Sequence, residues 1–495
     1  MTITTTQFKA WLKNPSAVRV VLVEVDVKLA AGGSIVTRYL SNRGYVTSPT
    51  DTPANTVYKP VLNGGVKFSQ AISLDGNATL SFGDLELSNL TGELDTWIDD
   101  YWVNRSIRIY IGDQSWPRAD FQLIFAGVVM NVDSKKRDTF NIQLSDVLQR
   151  LNFTVTESKL GGTTTNADQT IPLCFGECHN VEPLLVDPAL HEYQVHGAGD
   201  IERIIEVRDN GVPVAFTPFL ATGKFRLVNH PVGQITASVQ GDKSAGVYSN
   251  NIAEIFKRLV KNFGSATNRL TDADLDLASL SAFTSAHTQP VGVYIKDREN
   301  LLDICNQLAR SVGARVVASP TGLVSLVQIS LPQSSSGTSV TSANMVDRSL
   351  EISGLPKVVA SLKLGYAKNW TVQENLATGI LEEHRKLFAQ EWLTVTRTDS
   401  TTASNYNLFV DPDMDESFLL VGADASDEAL RRLNIFNVQR KMFRFKGYAE
   451  LLTEELGDPI TLTHSRFGLS SGVTGQILAI TKDWITQRVD LEVLV

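Results

Sequence analysis

Three cysteines in 495 residues leave no room for a disulfide framework. That scarcity fits synthesis in a reducing compartment. Charge of one sign is also short: 45 Lys and Arg stand against 54 Asp and Glu, a net charge of −9. A dedicated nucleic-acid binder needs the opposite balance, because each phosphate contact rewards a cation. An acidic surface would let DNA slide past without sticking. Long apolar runs are missing too. Val18 to Val27 is the longest early stretch, and Arg19, Glu24 and Asp26 interrupt it. A membrane helix needs about 20 apolar residues, so no stable membrane anchoring is expected. The opening MTITTTQFKAWLKNPS lacks a basic segment followed by an apolar one and does not read as a signal peptide.

Catalytic motifs are equally scarce. The only letters that match G-x-S-x-G, Gly468 to Gly472, fall between two alternating strand patterns and not on a strand-to-helix elbow; there is no Walker A loop, no G-x-G-x-x-G opening a helix and no H-E-x-x-H. Adjacent carboxylates occur at Asp99-Asp100, Glu382-Glu383 and Glu454-Glu455. Glycosidase acids must face one another across a cleft, which adjacency does not provide, so these read as solvated surface. DPDMDESF, Asp411 to Phe418, lacks the central glycine and the terminal Glu of a calcium loop. Cys305 falls on the apolar face of a helix with Leu301, Leu302 and Leu308 and reads as core. No catalytic residue and no cofactor is expected.

One metal pattern needs weighing. Cys174, Cys178, His191 and His196 have the spacing C-x3-C-x12-H-x4-H of a two-Cys, two-His zinc site. A finger carries its histidines on one helix, but Pro183 and Pro188 lie between the pairs and LHEYQVH alternates like a strand. The residues therefore favour small buried thiols beside strand histidines over a bound metal.

What the chain has in quantity is β-pattern: 43% apolar residues, 20% charged, and a mean hydropathy of −0.04, enough for sizeable cores. At this length three or four domains are expected. Hairpin patterns cover Val18–Asp26 with Ser34–Leu40, and Gly65–Leu74 with Ala78–Leu87 around a turn at Asp75-Gly76. A short amphipathic helix is expected over Glu93–Tyr101. Gly161 to Thr170 reads as a link into a region of short strands, with a hairpin turn at Asn210-Gly211. Helices follow at Asn251–Phe263, near a cap at Thr271, and at Arg298–Val312 ending on Gly313. Two short strands, Arg315–Ser319 and Leu323–Ile329, complete that part. A polar linker spans Ser330–Ser342, a strand Val358–Tyr366 and a helix Asp427–Lys441. The expected fold is mainly β with a smaller α+β domain. Its divisions are 1–155, a β-barrel-like module; 171–245, a small β domain; 246–332, the α+β domain; and 343–495, a second β-barrel-like module.

The two outer modules repeat one pattern. SIRIYIGD followed by LIFAGVVMNVDSKKRDTFNIQLSD, Ser106 to Asp146, is matched by LGDPITLTHSRFGLSSGVTGQILAITKDWITQRVDLEVLV, Leu456 to Val495. Each copy has an alternating strand, a loop, a glycine (Gly127 or Gly475), an apolar strand, a polar turn and a second alternating strand. The basic run Lys135, Lys136 and Arg137 forms the hairpin tip of the first copy.

YKPVL at Tyr58, GDLELSNLTGELDTWIDDYWVNRSIRIYIGD, LIFAGVV, IPLCFGECHNVEPLLVDPALHEYQVH leading into IERIIEVRDNGVPV, and the C-terminal GDPITLTHSRFGLSSGVTGQILAI resemble the tail-tip and baseplate hub proteins of long-tailed bacteriophages. The resemblance implies a structural virion protein that is not an enzyme. It implies a homotrimeric hub joining a sixfold tail tube to a threefold tip, with DNA only in transit. Implied partners are the distal tail ring, the tape measure protein and a spike or fibre. Some lambdoid members hold an iron–sulfur cluster on four cysteines; three cysteines here do not match it. Rival readings are a tail-associated cell-wall hydrolase and a carbohydrate- or receptor-binding tail protein. The first should show a His and carboxylate cluster and the second exposed aromatic clusters on β-repeats. Trp97, Tyr101 and Trp102 instead flank one short segment.

Overall fold

The computed structural model describes residues 3–74, 82–243, 246–331 and 337–495. After a capped helix α1 (Thr5–Leu12), the first module contributes β1 (Arg19–Lys28), β2 (Ile35–Ser41), β3 (Leu62–Ala71), β4 (Phe82–Ser88), β5 (Ser106–Asp113), β6 (Gln122–Asp133) and β7 (Thr139–Asp146). The middle of the chain supplies β8 (Leu173–Val181), β9 (Ile201–Asp209), β10 (Ile235–Asp242), α2 (Ile252–Asn262), α3 (Leu277–Ala286), β11 (Gly292–Ile295), α4 (Leu301–Arg310), β12 (Ala314–Ala318) and β13 (Val324–Gln328). Beyond it lie β14 (Thr338–Thr341), β15 (Glu351–Gly354), β16 (Ser361–Tyr366), β17 (Leu393–Thr398), α5 (Gly422–Phe436), β18 (Met442–Gly447), β19 (Pro459–Thr463), β20 (Val473–Asp483) and β21 (Arg488–Leu494).

A 13-stranded sheet runs in the order β2-β1-β5-β6-β7-β4-β3-β20-β21-β18-β15, with β19 beside β20 and β14 beside β19. Its alternating strands turn one face into a single apolar cluster that includes Val23, Phe68, Ile109 and Phe125 from the early strands. Phe443, Ile480, Leu491 and Trp484 come from the late ones. β1 is buried on both faces. Val20 and Leu22 pack with Tyr45, Tyr58 and Phe121 on its outer side. There Glu24 takes hydrogen bonds from Tyr58 Oη (2.6 Å) and Arg118 Nη2 (2.7 Å), so its charge is compensated. β8, β9, β10 and β11 lie in a five-stranded sheet, and α2, α3 and α4 share a separate core with Phe175, Leu308 and Leu326.

Several patterned expectations match. β1 and β2 pair as a hairpin, and Asn210 and Gly211 both take positive φ, 46° and 83°, at the turn after β9. α2 is capped by Asn251 and α4 by Asn300, with Gly313 left-handed at φ 67° three residues beyond α4. The turn expected at Asp75-Gly76 and the start of the strand expected at Ala78 lie outside the described residues.

Others are corrected. Glu93–Tyr101 is not an amphipathic α-helix but a single 3-10 turn over Asp95–Asp99. Lys28 and Tyr101 exchange backbone hydrogen bonds (2.9 and 3.2 Å), which pulls the segment into an extended exit. The cap at Thr271 closes on Asp274 around a 3-10 turn, and α3 starts later on Asp276. The linker Ser330–Ser342 contains a strand, β14, pairing in parallel with β19. The helix placed at Asp427–Lys441 runs instead from Gly422 to Phe436, because Lys441 already pairs with Val495 beside β18. α1 and the short helices Glu382–Phe388 and Ser400–Tyr406 have no counterpart in the pattern reading.

Lys482 breaks the alternation of β20. It lies opposite Phe68 on the core side and is only 4% exposed. Burial pushes its ammonium down to about 8, while the carboxylates of Glu455, Glu454 and Asp458 pull the other way. A lysine lowered in the folded state binds fewer protons there than when unfolded. Stability should therefore rise with pH from about 8 to the ordinary lysine value, by about 3 kcal/mol. Denaturant titrations between these limits should show the rise in the native chain and lose it in Lys482→Met. An equal slope in both would refute the assignment.

Candidate functional site

The repeated pattern resolves into two ladders with corresponding pairings. In the first copy Ile107 pairs with Gly127 and Val128 with Ser145; in the second Ile460 pairs with Gly475 and Gln476 with Leu494. The register slips between Val129 and Asn131 in one and between Ile477 and Ala479 in the other, so each glycine precedes a bulge by three residues. Both glycines serve a close approach. A Cβ on Gly127 would overlap the carbonyl oxygen of Ser145, and one on Gly475 that of Leu494.

The copies are joined within one chain. Residues 479–483 of β20 pair with 67–71 of β3: Ala479 with Ala71, Thr481 with Ser69 and Asp483 with Lys67. A hydroxyl–hydroxyl bond between Ser69 and Thr481 (2.9 Å) and a Lys67–Asp483 ion pair (3.8 Å) cross this joint. The same parity continues outward in both directions. Asp483 faces Arg488, Asp490 faces Lys446 and Glu492 faces Arg444 on one side. Lys67 faces Asp84, Asp84 faces Gln143 and Glu86 faces Asn141 on the other. Asp133 accepts from Asn141 (2.9 Å) and Gln143 (3.0 Å). The solvent side of the joined sheet is thus a continuous polar wall of alternating, nearly balanced charge. Burial raises the Asp84 carboxyl, with Asp133 and Glu86 adding to the rise and Lys135 opposing it.

At the tip of the β6–β7 hairpin Lys135 reaches Asp133 (3.4 Å) and Lys136 reaches Glu86 (3.9 Å). These exposed pairs are worth little individually.

The Cys and His residues lie elsewhere. Cys174 and Cys178 are buried on β8. His196 is buried beside them; its Nδ1 accepts from the Cys174 N–H (3.1 Å) and its Nε2 lies 3.3 Å from Asp242 Oδ1. Burial raises the Cys178 thiol, reinforced by Cys174. His191 sits apart on a turn with φ 48°, its ring 4.7 Å from that of His230. The structure therefore sets His196 against Cys174, with Cys178 on the same strand and His191 apart. Among the described residues no group of three or more His, Cys, Asp and Glu could hold a metal ion.

A cleft of about 1050 Å³ opens beside β10 and α2. Its Arg258, Lys257 and Lys261 are taken by Asp242 (3.0 Å), Glu254 (2.7 Å) and Asp272 (2.6 Å). It presents no cysteine or histidine at its lining. Of the acidic pairs, Asp100 holds Arg38, and Asp415 in the would-be calcium loop holds Arg432 (3.4 Å). Pattern reading missed the joint of β3 with β20. The period-two polar residues 67/69, 481/483 and 488/490 were visible, but nothing local names their partner strand.

By sequence, the chain matches no protein-family model and no curated protein. Solved structures align with it over most of its length. A 43 kDa tail protein of prophage MuSo2 from Shewanella oneidensis aligns with TM-score 0.41 and 9% identity, over 96% of this chain and 98% of that one. A protein of the virion of a native gene transfer agent particle aligns with TM-score 0.42 and 12% identity, over 70% and 91%. Prophage tail protein gp18 from Listeria monocytogenes aligns with TM-score 0.38 and 9% identity, over 90% and 92%. These solved structures are thus tail proteins of prophages and a protein of a gene transfer agent virion.

Proposed function

We propose that this chain is a structural protein of a phage tail tip, assembled as a homotrimeric hub in the virion. The carrying observation is the pair of equivalent ladders joined edge to edge in one sheet. One chain then offers two similar surfaces, and three chains offer six, so a threefold ring can meet a sixfold tube. The residue-level resemblance of the 83–113, 123–129 and 457–480 passages to tail-tip and baseplate hub proteins supports the same reading.

The polar wall suits a passage for DNA. Its cations alternate with carboxylates, so few remain to release counterions from phosphate, and the genome passes in transit without tight binding. Lys135, Lys136 and Arg137 belong at protein contacts. The divisions 1–155 and 343–495 act as hub modules, with 171–245 and 246–332 between them. The partners are a distal tail ring, a tape measure protein and a spike or fibre. The chain needs no cofactor and catalyses no reaction. Copy number tests the reading. Three chains per particle or per ring, by mass measurement, is expected, and six or twelve would refute it.

A further inference from the structure

The intrachain joint uses only half of what the repeat offers. Val128↔Ser145↔Phe82 in the first copy corresponds to Gln476↔Leu494↔Met442 in the second. β4 is therefore the counterpart of β18, and β3 that of β15. Within the chain, β3 adds to residues 479–483 of β20. The counterpart of that acceptor stretch is 131–135, the last three residues of β6 and the first two of the turn that follows it. Beyond Val129, which exchanges backbone hydrogen bonds with Asn104 (2.8 Å) and Arg105 (2.9 Å), β6 makes no further ladder toward β5, and among the described residues 131–135 take no strand on that edge. The counterpart of the donor is β15, which ends the sheet at its other side with Glu351, Ile352 and Ser353 exposed. One chain thus carries an unfilled acceptor edge and an unfilled donor edge at corresponding positions.

We infer that β15 of one copy adds antiparallel to residues 131–135 of the next, repeating between chains the joint that β3 and β20 make within one. This rests on the three-copy reading and supplies its contact. Two exposed edges would otherwise invite uncontrolled pairing, and a head-to-tail contact of this kind closes into a ring when its rotation permits. Main-chain bonds hold an added strand, and side-chain pairs set its register.

Transferring the register gives the side-chain partners. Lys67 faces Asp483 within the chain; between chains Glu351 faces Lys135, an opposite-charge pair with its signs exchanged. Gln70 faces Ile480; between chains Leu355 faces Val132. Leu355 is 59% exposed in the single chain, and Met130, on the bulge beside this edge, is 52% exposed. The contact gives both apolar side chains cover and gives the basic hairpin tip a protein partner.

Cysteine pairing in the full chain tests this. Directly opposed residues on antiparallel strands have Cβ atoms about 4.5–5.5 Å apart, near enough for a disulfide. The three native cysteines are buried and do not compete. The double variant Lys135→Cys, Glu351→Cys, mildly oxidised, should give a covalent ladder ending at three chains on a non-reducing gel. Neither single variant should give it. A three-chain particle by mass with no ladder would overturn this contact and leave the three-copy reading standing. A ladder ending at two or passing beyond three would overturn both. So would a chain that stays monomeric in solution and in the assembled tail. As a second readout, Lys135→Glu and Glu351→Lys should each weaken assembly about tenfold, and the two together should restore it.

Discussion

Gly127→Ala and Gly475→Ala should each destabilise their ladder by about 3 kcal/mol, the upper part of the range for overpacking a closed site. The obstacle is main chain in both cases, the carbonyl oxygen of Ser145 or Leu494, with the Phe125 ring or the Val493 and Val495 side chains behind it. Neither oxygen can move without breaking the β6–β7 or β20–β21 ladder. Gly379 is the control: an added Cβ there meets nothing within 4 Å, so Gly379→Ala should stay within about 0.5 kcal/mol of the native chain. In a chain with several cores a global unfolding transition does not locate a loss in one ladder. Hydrogen exchange resolved by segment is therefore the right measurement. Protection should fall over 106–146 for the first variant and over 456–495 for the second. The second should also loosen 67–71, because β20 carries β3. Loss confined to one glycine, with the other alanine tolerated, would show that the two ladders are not equivalent.

This symmetry explains what the sequence could and could not convey. Alternation is local, so β1, β2, β5, β6, β7, β20 and β21 all lie where their periodicity puts them. The glycines were legible because a strand glycine marks a bulge or a close backbone approach. The helices expected at Asn251–Phe263 and Arg298–Val312 were likewise written in adjacent residues, though the second starts only at Leu301, after its capping Asn300. Tertiary partners were not. Glu93–Tyr101 has helical spacing, yet Tyr101 is drawn onto Lys28 and Asp100 onto Arg38, some 70 residues away. The stretch Thr338–Thr341 is all Ser, Thr and Val and reads as a linker, but β19 gives it a ladder. Of the candidate site, the Cys and His spacing was plain in sequence, and the fold set His191 apart from the other three. The polar wall was present as alternate charged residues, but its extent depends on a pairing between residues more than 400 positions apart.

Glu428→Ala should cost about 3–5 kcal/mol, the range for removing one partner of a buried charge cluster. Glu428 lies on α5, 8% exposed, and accepts from Arg431 Nε (2.7 Å) and Nη2 (2.8 Å) and from Arg432 Nε (2.6 Å). The guanidiniums so held donate to carbonyls at and beyond the end of α4: Arg431 to Ile329 (2.8 Å) and Val312 (3.3 Å), Arg432 to Arg310 and Ser311. The last carbonyls of a helix have no partner inside it, so this cluster closes α4 and fastens α5 to it. Without the carboxylate two cations remain half-buried beside one another, with Asp415 reaching only Arg432. Burial alone would raise the Glu428 carboxyl. The hydrogen bonds from Arg431 and the charges of Arg432 and Arg431 outweigh it, and the group sits below its ordinary value. A carboxyl lowered on folding stabilises above its unfolded value, and that stability is lost as pH falls through the lowered one. Acid titration of the unfolding midpoint should therefore be shallower in Glu428→Gln than in the native chain below about pH 4. Exchange protection in Glu428→Ala should fall first at 301–313 and 422–436, while the joint of β3 with β20 keeps its own. A loss under about 1 kcal/mol would mean that the two arginines find water as readily as they find Glu428.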